Sequence, residues 1–108
     1  NLLKTNKIVL IDFYADWCVS CKELDRSTFK DAQTQPGMSQ FVLLRANVTD
    51  NDDTDKALEK QYNVIAPPTI LFFDTKGNEL TSARIVGAVD PRGFAEHLQE
   101  VLNQIKNN

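Results

Sequence analysis

Two cysteines, Cys18 and Cys21, stand where the apolar run Ile8-Val9-Leu10-Ile11-Asp12-Phe13-Tyr14 gives way to a segment suited to a helix. They are the only cysteines in the chain. Thiols at i and i+3 across a strand-to-helix junction can close a small disulfide ring and reopen it with little backbone movement. The first thiol falls at a helix N-terminus, where unpaired N–H groups and the helix dipole favour a thiolate. Thiol–disulfide exchange needs an attacking sulfur with a second sulfur close by to resolve the mixed disulfide. Cys18, ahead of the helix and the more exposed of the two, is expected to attack; Cys21, one turn in, to resolve. A structural staple is the plainer reading, but so short a loop constrains little of the unfolded chain. Half of a zinc site is another. Zinc takes about four ligands, and the sequence offers no second cysteine pair and a single histidine, His97.

The rest of the chain organises around that junction. The continuous apolar run over Ile8–Tyr14 predicts a strand buried on both faces. Helix is expected from Val19 to about Lys30, with Pro36-Gly37 as a breaker if it has not ended before them. A second strand is expected over Phe41–Val48. Capping residues at Asn51-Asp52-Asp53-Thr54 introduce a helix over Asp53–Tyr62. A third strand over Thr69–Asp74 meets a tight turn at Lys76-Gly77-Asn78, and a fourth is expected over Ala83–Val89. Asp90 and Pro91 then start a last helix, whose Phe94, Leu98, Val101, Leu102 and Ile105 share one face. Residues 1–7 read as a connector or the end of a truncated helix. The order β-α-β-α-β-β-α predicts an α/β fold with a mixed four-stranded sheet and helices on both faces. The helix-linked first three strands are expected to be parallel, and the fourth antiparallel to the third. With 108 residues, a single domain spanning 1–108 is expected. The chain begins at Asn1 rather than Met, which points to a piece of a longer protein.

Other residues near the cysteines carry candidate chemistry. Asp12 lies mid-strand among apolar neighbours, where a carboxylate is costly unless paired or protonated. Burial would raise its pKa and suit it to shuttle a proton for Cys21; the alternative is a solvated strand end. Asp16, Glu23 and Asp25 add negative charge close to Cys18, which opposes thiolate formation. Pro67-Pro68 precedes the third strand. A cis bond there would leave backbone groups beside the thiols for an added partner strand; the alternative is a strand-entry turn. Tyr14 and Trp17 flank the cysteines as packing or docking groups. Ala66 and Gly87 complete the expected docking face, Gly87 by close backbone approach or as a bulge. The net charge of −3 and the lack of a basic stripe argue against nucleic acid. No apolar stretch reaches the roughly 20 residues that span a bilayer.

Together these residues resemble the thioredoxin superfamily. The resemblance rests on Asp12-Phe13-Tyr14-Ala15-Asp16-Trp17-Cys18-x-x-Cys21-Lys22, on Pro68-Thr69 before a strand, and on Lys76-Gly77 and Gly87. Between the cysteines stands Val19-Ser20 instead of the Gly-Pro of thioredoxin itself. A narrower resemblance is to the C-terminal periplasmic domains of the DsbD family of bacterial membrane reductases. It rests on Tyr14-Ala15-Asp16-Trp17-Cys18-Val19-x-Cys21-Lys22-Glu23 and Thr28-Phe29-x-Asp31. Leu43-Leu44-x-Ala46-Asn47-Val48-Thr49 and Pro68-Thr69-Ile70-Leu71-Phe72-Phe73-Asp74 extend it. That resemblance implies a monomeric protein-disulfide reductase in the periplasm, as one domain of an inner-membrane protein. Its redox-active disulfide Cys18–Cys21 serves without metal or other cofactor. It implies electrons taken from a transmembrane domain and passed to an N-terminal periplasmic domain, which supplies disulfide isomerases and cytochrome c maturation. It also implies that acidic groups at Asp12 and Asp25 keep the attacking thiol's pKa high. Two other readings compete: a stand-alone thioredoxin-type reductase, and a non-catalytic binding module with incidental thiols. An oxidase is disfavoured, because a strong oxidant stabilises its thiolate and the acidic surroundings oppose that.

Overall fold

The computed structural model describes residues 7–106; the expected connector at 1–7 lies outside them except for Lys7. Four strands form one sheet in the order β2-β1-β3-β4. They are β1 (Val9–Tyr14), β2 (Val42–Asn47), β3 (Thr69–Phe73) and β4 (Ile85–Val86). The helices are α1 (Val19–Glu23), α2 (Gln35–Met38), α3 (Asp53–Gln61) and α4 (Pro91–Lys106). Every residue of β1 and β3 is buried, as central strands covered on both faces require.

Alternation along β1 and β3 divides the core into two layers. Leu10, Ile70 and Phe72 face one side, where Leu24, Met38, Phe94, Leu98, Val101 and Leu102 pack on them. Val9, Ile11, Phe13, Leu71 and Phe73 face the other, with Leu58 and Tyr62 of the α3 region and both cysteines. The apolar stripe of α4 is therefore buried as its spacing predicts. Asp90 caps that helix by accepting from the Gly93 N–H at 2.7 Å, and Asp52 caps α3 through the Asp55 N–H at 2.9 Å.

Three expectations need correction. β1 and β2 are parallel, but β3 runs antiparallel to β1, with Phe13 opposite Thr69 and Val9 opposite Phe73. The segment from Tyr62 to Pro68 returns the chain to the sheet end where β2 finished, so β3 starts beside Phe13 and runs back. The helix after Cys18 does not continue uniformly to Lys30. It widens into a π-helical segment over Leu24–Thr28, closed by the Phe29 N–H on the Leu24 carbonyl at 2.8 Å. Thr28 ends it by donating to the Val89 carbonyl at 2.7 Å while its own carbonyl accepts from Thr34 Oγ1 at 2.7 Å. The helix has already ended before Pro36-Gly37, which lie inside the separate α2, whose first turn tolerates proline. A Cβ on Gly37 would stand 3.1 Å from Leu98, so glycine lets α2 sit close against α4. The strand expected over Ala83–Val89 shrinks to Ile85–Val86. A 3₁₀ turn holds Thr81–Ala83, and Gly87, at φ +95°, turns the chain out of the ladder.

Candidate active site

Cys18 is the N-cap of α1, in extended conformation at φ −91° and ψ 107°. Its Sγ accepts the Cys21 N–H at 3.1 Å, and its carbonyl accepts the Lys22 N–H at 3.2 Å. A sulfur in this position takes over a helix N–H that has no carbonyl partner, which favours negative charge on it. Cys18 and Cys21 are joined in a disulfide with Cα atoms 5.2 Å apart. Cys18 remains the more accessible residue, but only narrowly: the two are 7% and 2% exposed.

The loop before Cys18 is fixed by Thr49, just beyond β2. Thr49 Oγ1 accepts the Asp16 N–H, and its carbonyl accepts the Trp17 Nε1–H, both at 2.9 Å. The Tyr14 hydroxyl donates to Asp16 at 2.9 Å. Trp17 is held at its polar edge yet is 58% exposed. Val19 and Ile65 are more exposed still, Ile65 at 97%.

Pro67–Pro68 is cis. Pro68 is buried, Pro67 half-buried and Ala66 exposed. The Pro68 carbonyl accepts the Gly87 N–H at 2.9 Å, and the Ala66 carbonyl accepts the Thr69 hydroxyl at 2.7 Å. Among the described residues, the Ala66 N–H and the Pro67 carbonyl have no hydrogen-bond partner. These, not Pro68, are the groups a partner strand could pair with. Gly87 therefore ties β4 to the proline segment by its N–H.

Asp12 is 6% exposed, so the solvated alternative falls away. Burial raises its pKa, opposed by the charge and hydrogen bond of Arg45 and reinforced by the negative charge of Asp25. Arg45 Nη2 donates to Asp12 at 2.9 Å, and Nη1 to Asp25 at 3.0 Å, with a second contact from Nη2 to Asp25. Asp25 thus reaches the cluster from the helical side, and the acidic field expected around Cys18 is partly balanced. Glu23 likewise pairs with Arg26. Arg45 and Thr49 escaped the sequence reading. The available signal for Arg45 was a lone cation inside the apolar run of β2, which the parallel register places opposite Asp12. His97 is half-buried, 2.6 Å from the Ala83 carbonyl, with its ring against Phe72. No group of three or more metal-ligating side chains occurs among the described residues, and none of their helices is long and apolar enough to cross a membrane.

An N-cap thiol paired with a second thiol one turn on is suited to disulfide exchange. Comparison with known proteins agrees. Residues 1–102 match the thioredoxin-like domain family. The thiol:disulfide interchange protein DsbD of Escherichia coli K12 is 51% identical over 94 residues, 87% of this chain and 17% of that protein. The chain thus spans about a sixth of the length of that relative. The reduced C-terminal domain of Neisseria meningitidis DsbD superposes with a TM-score of 0.77 at 30% identity, covering 89% of this chain and 82% of that domain. A Thermus thermophilus thioredoxin, at 20% identity, shares the fold with a TM-score of 0.78, covering 92% of this chain and 76% of its own. The chain belongs to the thioredoxin-like domain family, and within that family it belongs with the C-terminal domains of DsbD.

Proposed function

We propose that this domain is a periplasmic electron relay that reduces protein disulfides. Its reduced Cys18 attacks a partner disulfide. A Cys18–partner bond forms, the partner bond breaks, and one partner sulfur leaves as a thiolate that takes up a proton. Cys21 then gives its proton to Asp12, directly or through water, and attacks the Cys18 sulfur. The Cys18–partner bond breaks and the second partner thiolate leaves. Two electrons have passed to the partner, and the Cys18–Cys21 disulfide remains for reduction by the upstream donor. The observation that carries this reading is the Cys18 sulfur, bonded to Cys21 and seated on the Cys21 N–H at the start of α1.

We infer that the donor is a transmembrane domain of the same parent protein and the acceptor its N-terminal periplasmic domain. Residues 1–108 act as one thioredoxin-like domain, a monomer outside the membrane with no nucleic-acid role. Exposed Trp17, Val19 and Ile65, with Ala66 and Pro67, supply a small apolar docking face suited to transient contact. Asp25 acts with Asp12 as the acidic pair of the site. The test is a trap. Cys21→Ala should accumulate a covalent Cys18 adduct with the N-terminal domain, seen by non-reducing electrophoresis and intact mass. Cys18→Ser should give none. An adduct that forms equally well with Cys18→Ser would refute the assignment.

A further inference from the structure

We propose that Arg84 is a positioning residue for partner docking: from the head of β4 it fixes the start of the segment that presents Ile65, Ala66 and Pro67. The inference rests on the reading of that segment as part of the docking face. Helix α3 ends with Asn63 in the left-handed region at φ +56°. The Asn63 N–H donates to the Lys60 carbonyl at 3.2 Å, and the Val64 N–H to the Glu59 carbonyl at 2.8 Å. That closure satisfies two of the last helical carbonyls and leaves the Tyr62 carbonyl over. Arg84 takes it. Its Nη2 donates to the Tyr62 carbonyl at 2.7 Å, and its Nη1 to the Asn63 carbonyl at 2.9 Å. A cation at a helix C-terminus also meets the negative end of the helix dipole.

Glu79 holds the guanidinium from another side. Its Oε2 accepts from Nε at 2.9 Å and its Oε1 from Nη2 at 2.8 Å. The Arg84 and Glu79 side chains are only 19% and 15% exposed, so this two-point pair is largely shielded from water. The solvent-facing pair Arg92–Glu96 has no such shelter. Further along, Ile85 and Val86 pair with Ile70 and Thr69, and the Gly87 N–H donates to the Pro68 carbonyl at 2.9 Å. One short stretch, residues 84–87, therefore anchors both ends of residues 62–68. Between the anchors Val64 is buried, but Ile65 and Ala66 are exposed and have little packing to fix their path. Their placement follows from the anchors. With Arg84 loosened, docking has to order the segment, and that cost falls on reaction with a protein partner.

Two rate constants separate docking from thiol chemistry. The reduced chain is mixed with the oxidised N-terminal domain assigned above as acceptor, and separately with dithiobis(nitrobenzoate), a reagent too small to need the docking face. The quantity read is the ratio of the two second-order rate constants, protein over reagent. Arg84→Gln should lower that ratio about tenfold, the order of cost of ordering a loop on binding. Arg84→Lys keeps the charge but cannot reach both carbonyls and the carboxylate; it should lower the ratio less, and it carries the test if Arg84→Gln does not fold. Glu79→Gln, which frees Arg84 without touching the segment, should act in the same direction. Amide hydrogen exchange should quicken at Val64 and Gly87 in the Arg84 variants and stay at its wild-type rate in β1. Ile65→Ser, which alters the face itself, is the control. A ratio lowered by Ile65→Ser but unchanged in the Arg84 variants would overturn the inference. So would wild-type exchange at Val64 and Gly87, or exchange in Arg84→Lys that quickens throughout β1 as well. A ratio that Ile65→Ser leaves unchanged would sink the docking reading itself, and the inference with it.

Discussion

Asp12→Asn should make the oxidised domain more stable at neutral pH, although it deletes a buried hydrogen-bonded ion pair. The Asp12 side chain is 9% exposed and receives one Arg45 hydrogen bond at 2.9 Å. At that distance and an effective dielectric of about 20, the attraction is about 6 kcal/mol. Removing a carboxylate from water costs several kcal/mol, and Arg45 also loses hydration. Desolvation is the largest influence on Asp12, and its pKa is raised. The balance is therefore against the ionised form in the fold. Asparagine keeps the shape and an oxygen for Arg45, and Arg45 keeps Asp25, so no buried charge is stranded. The expected gain is about 1–2 kcal/mol, or roughly 4–8 °C in Tm for a domain of this size.

The sign fixes the pH window. The folded pKa of Asp12 lies above its unfolded value of about 3.9. The penalty is thus absent below that pH, grows as pH rises through the folded pKa, and is constant above it. Urea unfolding of oxidised wild type and Asp12→Asn at pH 3.5, below the unfolded value, and at pH 7.5 is the assay. A variant less stable than wild type at pH 7.5, or a difference that does not change with pH, would refute the reasoning.

Two further outcomes follow from the docking face. Ile65→Ser should raise KM for a protein disulfide about tenfold, the loss of one apolar anchor of about 1.4 kcal/mol, and leave the rate with dithiobis(nitrobenzoate) unchanged; steady-state kinetics with both oxidants separates these. Gly87→Ala should destabilise by about 1–2 kcal/mol through its positive φ alone, since a Cβ there meets nothing within 4 Å. Urea unfolding measures that loss directly.

The features legible in the sequence were those written as local periodicity. The buried runs of β1 and β3, the stripe of α4 and the placement of Cys18 at a helix start all needed only neighbouring residues. The direction of β3 did not follow, because it depends on where residues 62–68 return the chain, and both directions bury Ile70, Leu71 and Phe72 equally well. The early end of the Cys21 helix depends on Thr28 reaching Val89, far away in sequence. Gly87 was read as a site of close approach or a bulge, yet its positive φ ends β4 and its N–H holds Pro68. Asp12 was recognised because a carboxylate is conspicuous among apolar residues. Its partner was not, because β2 is an edge strand with alternating exposure, where an arginine looks like an ordinary solvated side chain. Only the register of β1 with β2 turns Arg45 into part of the site.

The central claim is that the Cys18–Cys21 pair delivers electrons, and its equilibrium reduction potential against a glutathione or dithiothreitol buffer tests that most directly. The account predicts a reducing value, in the range of about −270 to −200 mV that spans thioredoxin and the glutaredoxins. A value near −120 mV, roughly that of a strong disulfide-forming oxidant, would contradict it and make Cys18 a disulfide donor.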